Sequence, residues 1–230
     1  MRRLLRATFA VLAWVAATPA VAEAPRTLRV DYFHTGGQGV EIFALDRVSV
    51  EPLPWPGHPG RTADSGEPGV YRYEVRDDKG QLLFARGYAS IFGEWITTAE
   101  ASTSHRTFHE SLRFPEPAGP VEVTVLRRGA DQAFGKVWQV RIDPADPFVV
   151  RAAPPRQELV AVEEHGSPAD KVDVLLIGDG YTAAECSAKF GPDARRMADA
   201  LFRHEPFASR RADFNIWGLC PPSAESGVAR

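Results

Sequence analysis

The sequence is poor in the residues that staple a chain or bind metals. Cysteine occurs twice in 230 residues, at Cys186 and Cys220, so this is not a disulfide-framework protein. Neither sign of charge dominates: 27 Lys and Arg stand against 30 Asp and Glu, with a net charge of -3 and a pI near 6.1. That balance lacks the electrostatic footprint of a nucleic-acid binder or a polybasic membrane adhesion patch. No nucleic-acid partner is expected. Past the first residues no apolar run is long enough to span a bilayer, so no transmembrane anchor is expected. The six histidines never form H-E-x-x-H. Arg106 stands where that motif needs Glu between His105 and His109, and His204-Glu205 runs on into Pro206-Phe207-Ala208. There is no G-x-S-x-G and no Gly-Lys-Ser/Thr of a Walker loop. No residue of this chain is assigned as catalytic, cofactor-binding or metal-ligating.

What is present begins with an export signature. Arg2, Arg3 and Arg6 precede an apolar stretch from Ala7 to about Ala17 and the small-residue site Ala20-Val21-Ala22. This order predicts a signal peptide over 1–22, cleaved after Ala22, and hence a periplasmic or extracellular protein. Residues 23–150 then carry strand signals. Tyr71, Tyr73 and Val75 alternate onto one face, as do Val121, Val123 and Val125. Phe108, Glu110, Leu112 and Phe114 share another face, with Glu110 placed near its edge. Asp77-Asp78-Lys79-Gly80 predicts a hairpin turn, and Pro52, Pro54, Pro56 and Pro59 predict a stiff, non-helical connection. Short strands between turns, with no helix among them, predict an antiparallel β-sandwich.

Residues 151–171 read as a linker with one short edge strand around Leu159–Val162. From 172 the pattern changes. VDVLLI is a continuous apolar run, expected of a strand buried on both faces of a parallel sheet. Thr182-Ala-Ala-Glu185 is a capping box. Phe190, Ala194, Met197, Ala198 and Leu201 follow at helical spacing, with a break and restart expected at Gly191-Pro192. FNIWGLC, from Phe214 to Cys220, is a second strand. Residues 172–230 therefore predict strand, helix, strand, and the overall class is α+β. The two cysteines are expected as buried or half-buried thiols, with a bridge left open. GDGYTA formally satisfies G-x-G-x-x-A, but the first acid beyond the second strand is Glu225, too late to hold a ribose. Asp179 and Glu225 could face a cleft at the carboxyl ends of the strands, and capping or turn formation explains them equally well.

Taken together, GDGYTAAE, DALFRHEPFASRRADFNIW and PPSAESGV closely resemble the start of the catalytic domain of the IgA-peptidase family of secreted zinc metallopeptidases. RGYASIFGEW (86–95) and RTFHESLRFPEP (106–117) look like that family's N-terminal β-rich domain. The resemblance implies a zincin-like peptidase acting on a protein or peptide, with zinc as the cofactor of the complete protein. In that family a later helix carries H-E-x-x-H, whose histidines hold zinc and whose Glu activates water. The sequence given stops at Arg230 before any such helix, so no ligand or base is carried over. Missing cover is expected to leave Phe190, Met197, Leu201, Phe202 and Trp217 exposed and the C-terminal third labile beside a stable β region. An alternative reading makes the β region a secreted binding module for protein or glycan, with exposed aromatics among Trp55, Trp95 and Trp138 as its contact patch, while at least some of the three are expected in the core.

Overall fold

The computed structural model describes residues 25–58, 60–64, 66, 68–153 and 158–227. The predicted signal peptide and its cleavage site lie outside the described residues, as does Pro59. Among the described residues ten strands form three sheets: β1 (Arg26–Gly37), β2 (Val40–Pro54), β3 (Tyr71–Asp77), β4 (Leu82–Tyr88), β5 (Arg106–Pro115), β6 (Val121–Arg128), β7 (Phe134–Ile142), β8 (Val160–Glu163), β9 (Val172–Ile177) and β10 (Phe214–Leu219). The first two sheets, β2-β1-β5 and β4-β3-β6-β7, are antiparallel throughout. The chain is thus largely β with a smaller α/β portion, in keeping with the predicted α+β class.

The alternating positions face inward. Leu28, Val30 and Tyr32 of β1 and Leu112 and Phe114 of β5 share one core with Tyr71, Tyr73 and Val75 of β3 and Val121, Val123 and Val125 of β6. Burying side chains of this size contributes about 1.5–3 kcal/mol each, which is what holds the two sheets together. Tyr73 reaches across and donates its hydroxyl to the Arg113 carbonyl at 2.6 Å. The predicted turn closes β3 onto β4, with Asp77 accepting from the amides of Lys79 and Gln81 at 2.9 and 2.8 Å.

One element departs from the all-strand reading of this region. Helix α1 (Ile91–Trp95) is followed by a 3-10 turn over Ala99–Ser102. Ser90 caps α1 by accepting from the Gly93 amide, and Phe92 and Trp95 are buried beneath it. Five residues are too few to show a helical period, so its signal was the cap alone.

The third sheet has the order β8-β10-β9, with β10 parallel to β9 and antiparallel to β8. The short strand expected near Leu159–Val162 is therefore β8, an outer strand of this sheet. Helix α2 (Ala183–Glu185) opens with the predicted capping box, Thr182 accepting from the Glu185 amide while Glu185 accepts from that of Thr182. The helical run restarts at Gly191-Pro192 as expected, but without a break in the backbone. A π-helical turn over Cys186–Phe190 carries the backbone without interruption into α3 (Gly191–Leu201). Pro192 is tolerated there because it lies in the first turn of α3.

Two expectations about burial are corrected. Strand β9 is an outer strand with one face open: Leu175 is 47% and Ile177 64% exposed, while Val174 and Leu176 pack toward the helix. Conversely, Phe190 and Phe202 are buried, in a core with Val162, Ala194, Ala198 and Ile216. The backbone of Gly218 lets Phe190 come close, since a Cβ there would lie 2.7 Å from its ring. Met197 is exposed, as expected. Arg211 ties this unit at its surface, bridging Glu163 at the end of β8 and Asp199 of α3.

Candidate functional site

The two strings that mark the C-terminal unit, GDGYTAAE and PPSAESGV, meet at the carboxyl ends of β9 and β10. Ligand sites of open α/β sheets lie at such ends. The Gly178 amide donates to the Leu219 carbonyl at 2.8 Å, extending the parallel ladder by one bond. Beyond it the second loop folds back over the first: the Ser223 amide donates to the Tyr181 carbonyl at 2.7 Å and the Gly227 amide to the Gly180 carbonyl at 2.8 Å. Ser226 donates its hydroxyl to Glu185 Oε1 at 2.8 Å, and Glu185 Oε2 accepts from the Thr182 amide at 2.9 Å. The Thr182 and Ser226 donors hold the Glu185 carboxyl below its ordinary range. Glu185 is thus an acceptor committed to capping and to the loop. The Tyr181 hydroxyl donates to Asp193 Oδ2 at 2.9 Å, which raises the phenol above its ordinary value. Asp179 and Glu225 are both exposed on this ridge.

The Cys186–Cys220 pair settles what the sequence left open. The two are disulfide-bonded with their Cα atoms 5.7 Å apart, within the range such a bridge requires. The bridge fastens the start of the helical run to the end of β10, directly beside the ridge.

Gly180 is the tightest point of the ridge. Its φ is +72°, and a Cβ would lie 2.5 Å from the Gly227 carbonyl oxygen. Gly180→Ala is expected to destabilise the C-terminal unit by about 1–3 kcal/mol. Thermal unfolding checks this against Gly135→Ala, where a Cβ meets nothing within 4 Å. Equal melting temperatures for the two variants would show that the loops do not hold this geometry.

No histidine joins the ridge through any of the contacts found. His165 sits at the opposite end of β10, with Nδ1 2.7 Å from the Phe214 carbonyl. His109 lies on β5, 3.2 Å from Asp46 Oδ2, and not on a helix. Among the described residues, the group with metal-ligand spacing is Asp31, Asp46 and His109. It does not fit zinc. Asp31 faces the guanidinium of Arg29 through both oxygens, at 2.9 and 3.0 Å, and that of Arg47 at 3.3 Å. Two permanent cations already neutralise the carboxylate a metal would need.

A buried polar cluster was not read from the sequence, which placed Glu110 only near the edge of a strand face. It lies at one end of the N-terminal core. His34 of β1 is fully buried, with Nε2 3.0 Å from Glu41 Oε1 and Nδ1 3.2 Å from Glu110 Oε2. Glu110 also accepts from Tyr32 at 2.8 Å and from Ser90 at 2.7 Å. Glu41 accepts from Tyr71 and Arg127, each at 2.8 Å. Burial pushes the Glu110 carboxyl up, but its donors, His34 first, outweigh this and hold it at about 2. The supposed tryptophan patch is not assembled. Trp95 is buried, Trp138 stacks on Phe43, and Trp55 packs edge-on to Phe84.

The family model described as Peptidase M64 N-terminus matches residues 21–139, and that described as IgA Peptidase M64 matches residues 160–230. A search of curated proteins found no match. The first match takes in β1 to β6 and the first part of β7, and the second takes in β8, β9, the helical run, β10 and the ridge. On those two matches, which together span most of its length, the chain belongs to the IgA peptidase M64 family of metallopeptidases.

Proposed function

We propose that these residues form the non-catalytic portion of an exported zinc metalloendopeptidase. The two antiparallel sheets act as a β-sandwich domain, and β9, the helical run and β10 open a zincin-like catalytic domain. The metal-binding helix is supplied by polypeptide outside residues 1–230. By itself this portion is inactive, and the substrate of the whole is a protein or peptide. The observation that carries this reading is the open apolar face of β9, with Leu175 47% and Ile177 64% exposed. A parallel pair in an α/β domain has both faces covered, and here α3 covers one. The absence of H-E-x-x-H from the sequence and the unfit donor set at Asp31 point the same way.

The test compares the 230-residue chain with the same chain extended by the codons that follow Arg230. The short form is expected to bind no stoichiometric zinc and to leave a labelled protein substrate intact. The extended form is expected to carry about one zinc and to cleave it in a chelator-sensitive manner. Stoichiometric zinc or proteolysis in the short form would refute the proposal. Export is checked by the mass of the secreted product, expected to begin at Glu23.

A further inference from the structure

Both ring nitrogens of His34 face carboxylate oxygens, Nε2 that of Glu41 and Nδ1 that of Glu110. A carboxylate only accepts, and the Ser90 hydroxyl, 3.2 Å from Nδ1, gives its own proton to Glu110 Oε1, so both nitrogens donate, and only the imidazolium has two N–H groups. The ring faces are covered as well. Phe43 stacks on His34 at 4.1 Å and Phe92 at 4.0 Å between centroids, a setting that favours a cation. The anchor points of α1 run through the same groups: the Phe92 ring on His34, the Phe92 amide on Glu110 at 3.3 Å, and Ser90 on Glu110.

We infer that His34 is an ionic pin: doubly protonated, it ties β1 to β2 and β5 within one sheet and docks α1, and loss of one ring proton to solvent loosens the segment 90–102. A neutral ring keeps one N–H, so one carboxylate loses its donor and faces a nitrogen lone pair instead. Phe92 at the same time loses the cation beneath it.

The other groups around the pin leave His34 as the one that changes charge near neutrality. Burial, first among the causes, pushes the phenols of Tyr32, Tyr71 and Tyr88 above their ordinary 10. Arg127, from β6, keeps its charge. Burial alone would push His34 down; its hydrogen bonds to Glu110 and Glu41 outweigh this and leave it raised above 6.5. A raised folded value means the contribution is complete below about 6.5 and disappears as pH climbs through the folded midpoint. Glu110, lowered from 4.5 to about 2, contributes fully above about 4.5 and loses its contribution as pH falls toward 2. Glu41 is lowered in the same sense.

NMR titration of the 230-residue chain tests the pin without any variant. The His34 ring is expected to titrate with a midpoint above 6.5, and the backbone amides of Phe92, Gly93 and Glu94 to shift with that same midpoint. Glu41→Gln, which keeps an acceptor but removes a charge, is expected to lower the midpoint. The melting temperature of the wild type is expected to fall by several degrees across the titration. A midpoint at or below 6.5, amides of 92–94 that do not follow it, or a midpoint unmoved in Glu41→Gln would each overturn the inference.

Discussion

Replacing Glu110 by alanine is expected to destabilise the β region by about 3–5 kcal/mol, because breaking a buried pair leaves an uncompensated charge behind. The carboxylate is the meeting point of four donors: His34 Nδ1, the Tyr32 hydroxyl, the Ser90 hydroxyl and the Phe92 amide. Its side chain is 8% exposed and that of His34 is 0% exposed, so water does not replace the lost acceptor. The cost exceeds that of a surface ion pair, which contributes at most about 1 kcal/mol. Glu110→Gln keeps an oxygen acceptor and is expected to lose less. Urea unfolding followed by circular dichroism measures both. A loss below about 1 kcal/mol for the alanine variant would mean that the cluster is solvated in solution.

Removing the disulfide by Cys186→Ser with Cys220→Ser is expected to cost the C-terminal unit about 3–4 kcal/mol. The estimate is the entropy regained by the unfolded chain when a loop of this size is opened, the bridged residues being 34 apart in sequence. The effect should be confined to one part of the molecule, because the chain has no other cysteine. Heating with and without a reductant provides the measurement. The transition of the antiparallel sheets is expected to stay in place, while that of the β9–β10 unit moves to lower temperature. Protease sensitivity within α3 should rise in parallel. The sequence suggested a labile C-terminal third; the bridge and the Phe190 core offset that lability, and the double variant should restore it. A reductant-insensitive C-terminal unit would contradict this assignment of its stability.

The strand pattern was legible because it is local. Tyr71, Tyr73 and Val75, and Val121, Val123 and Val125, alternate at the period of a strand, and all are buried in the shared core. The cap at Thr182 and Glu185 was legible for the same reason, its two partners being three residues apart. Where the reading went astray, the deciding neighbour lay far along the chain. VDVLLI is apolar enough to be covered on both faces, and whether it is covered depends on what packs there. Gly191-Pro192 is the local exception: α3 restarts there as read, and the π turn just before it keeps the backbone helical. Phe190 seemed to lack a partner because its cover comes from β8 and β10, and Gly218 offers no side chain to signal the contact.

From sequence alone came the alternating strands, the turn at 77–80, the helix start at Thr182, the family likeness and the fact that no H-E-x-x-H occurs among these 230 residues. All of these depend on residue identities within a few positions of one another. Only the tertiary structure brought Cys186 to Cys220, gathered His34, Glu41 and Glu110 from β1, β2 and β5, and left β9 with one bare face. Desolvation and charge pairing are set by whichever groups become neighbours in space, and no periodicity along the chain records that choice.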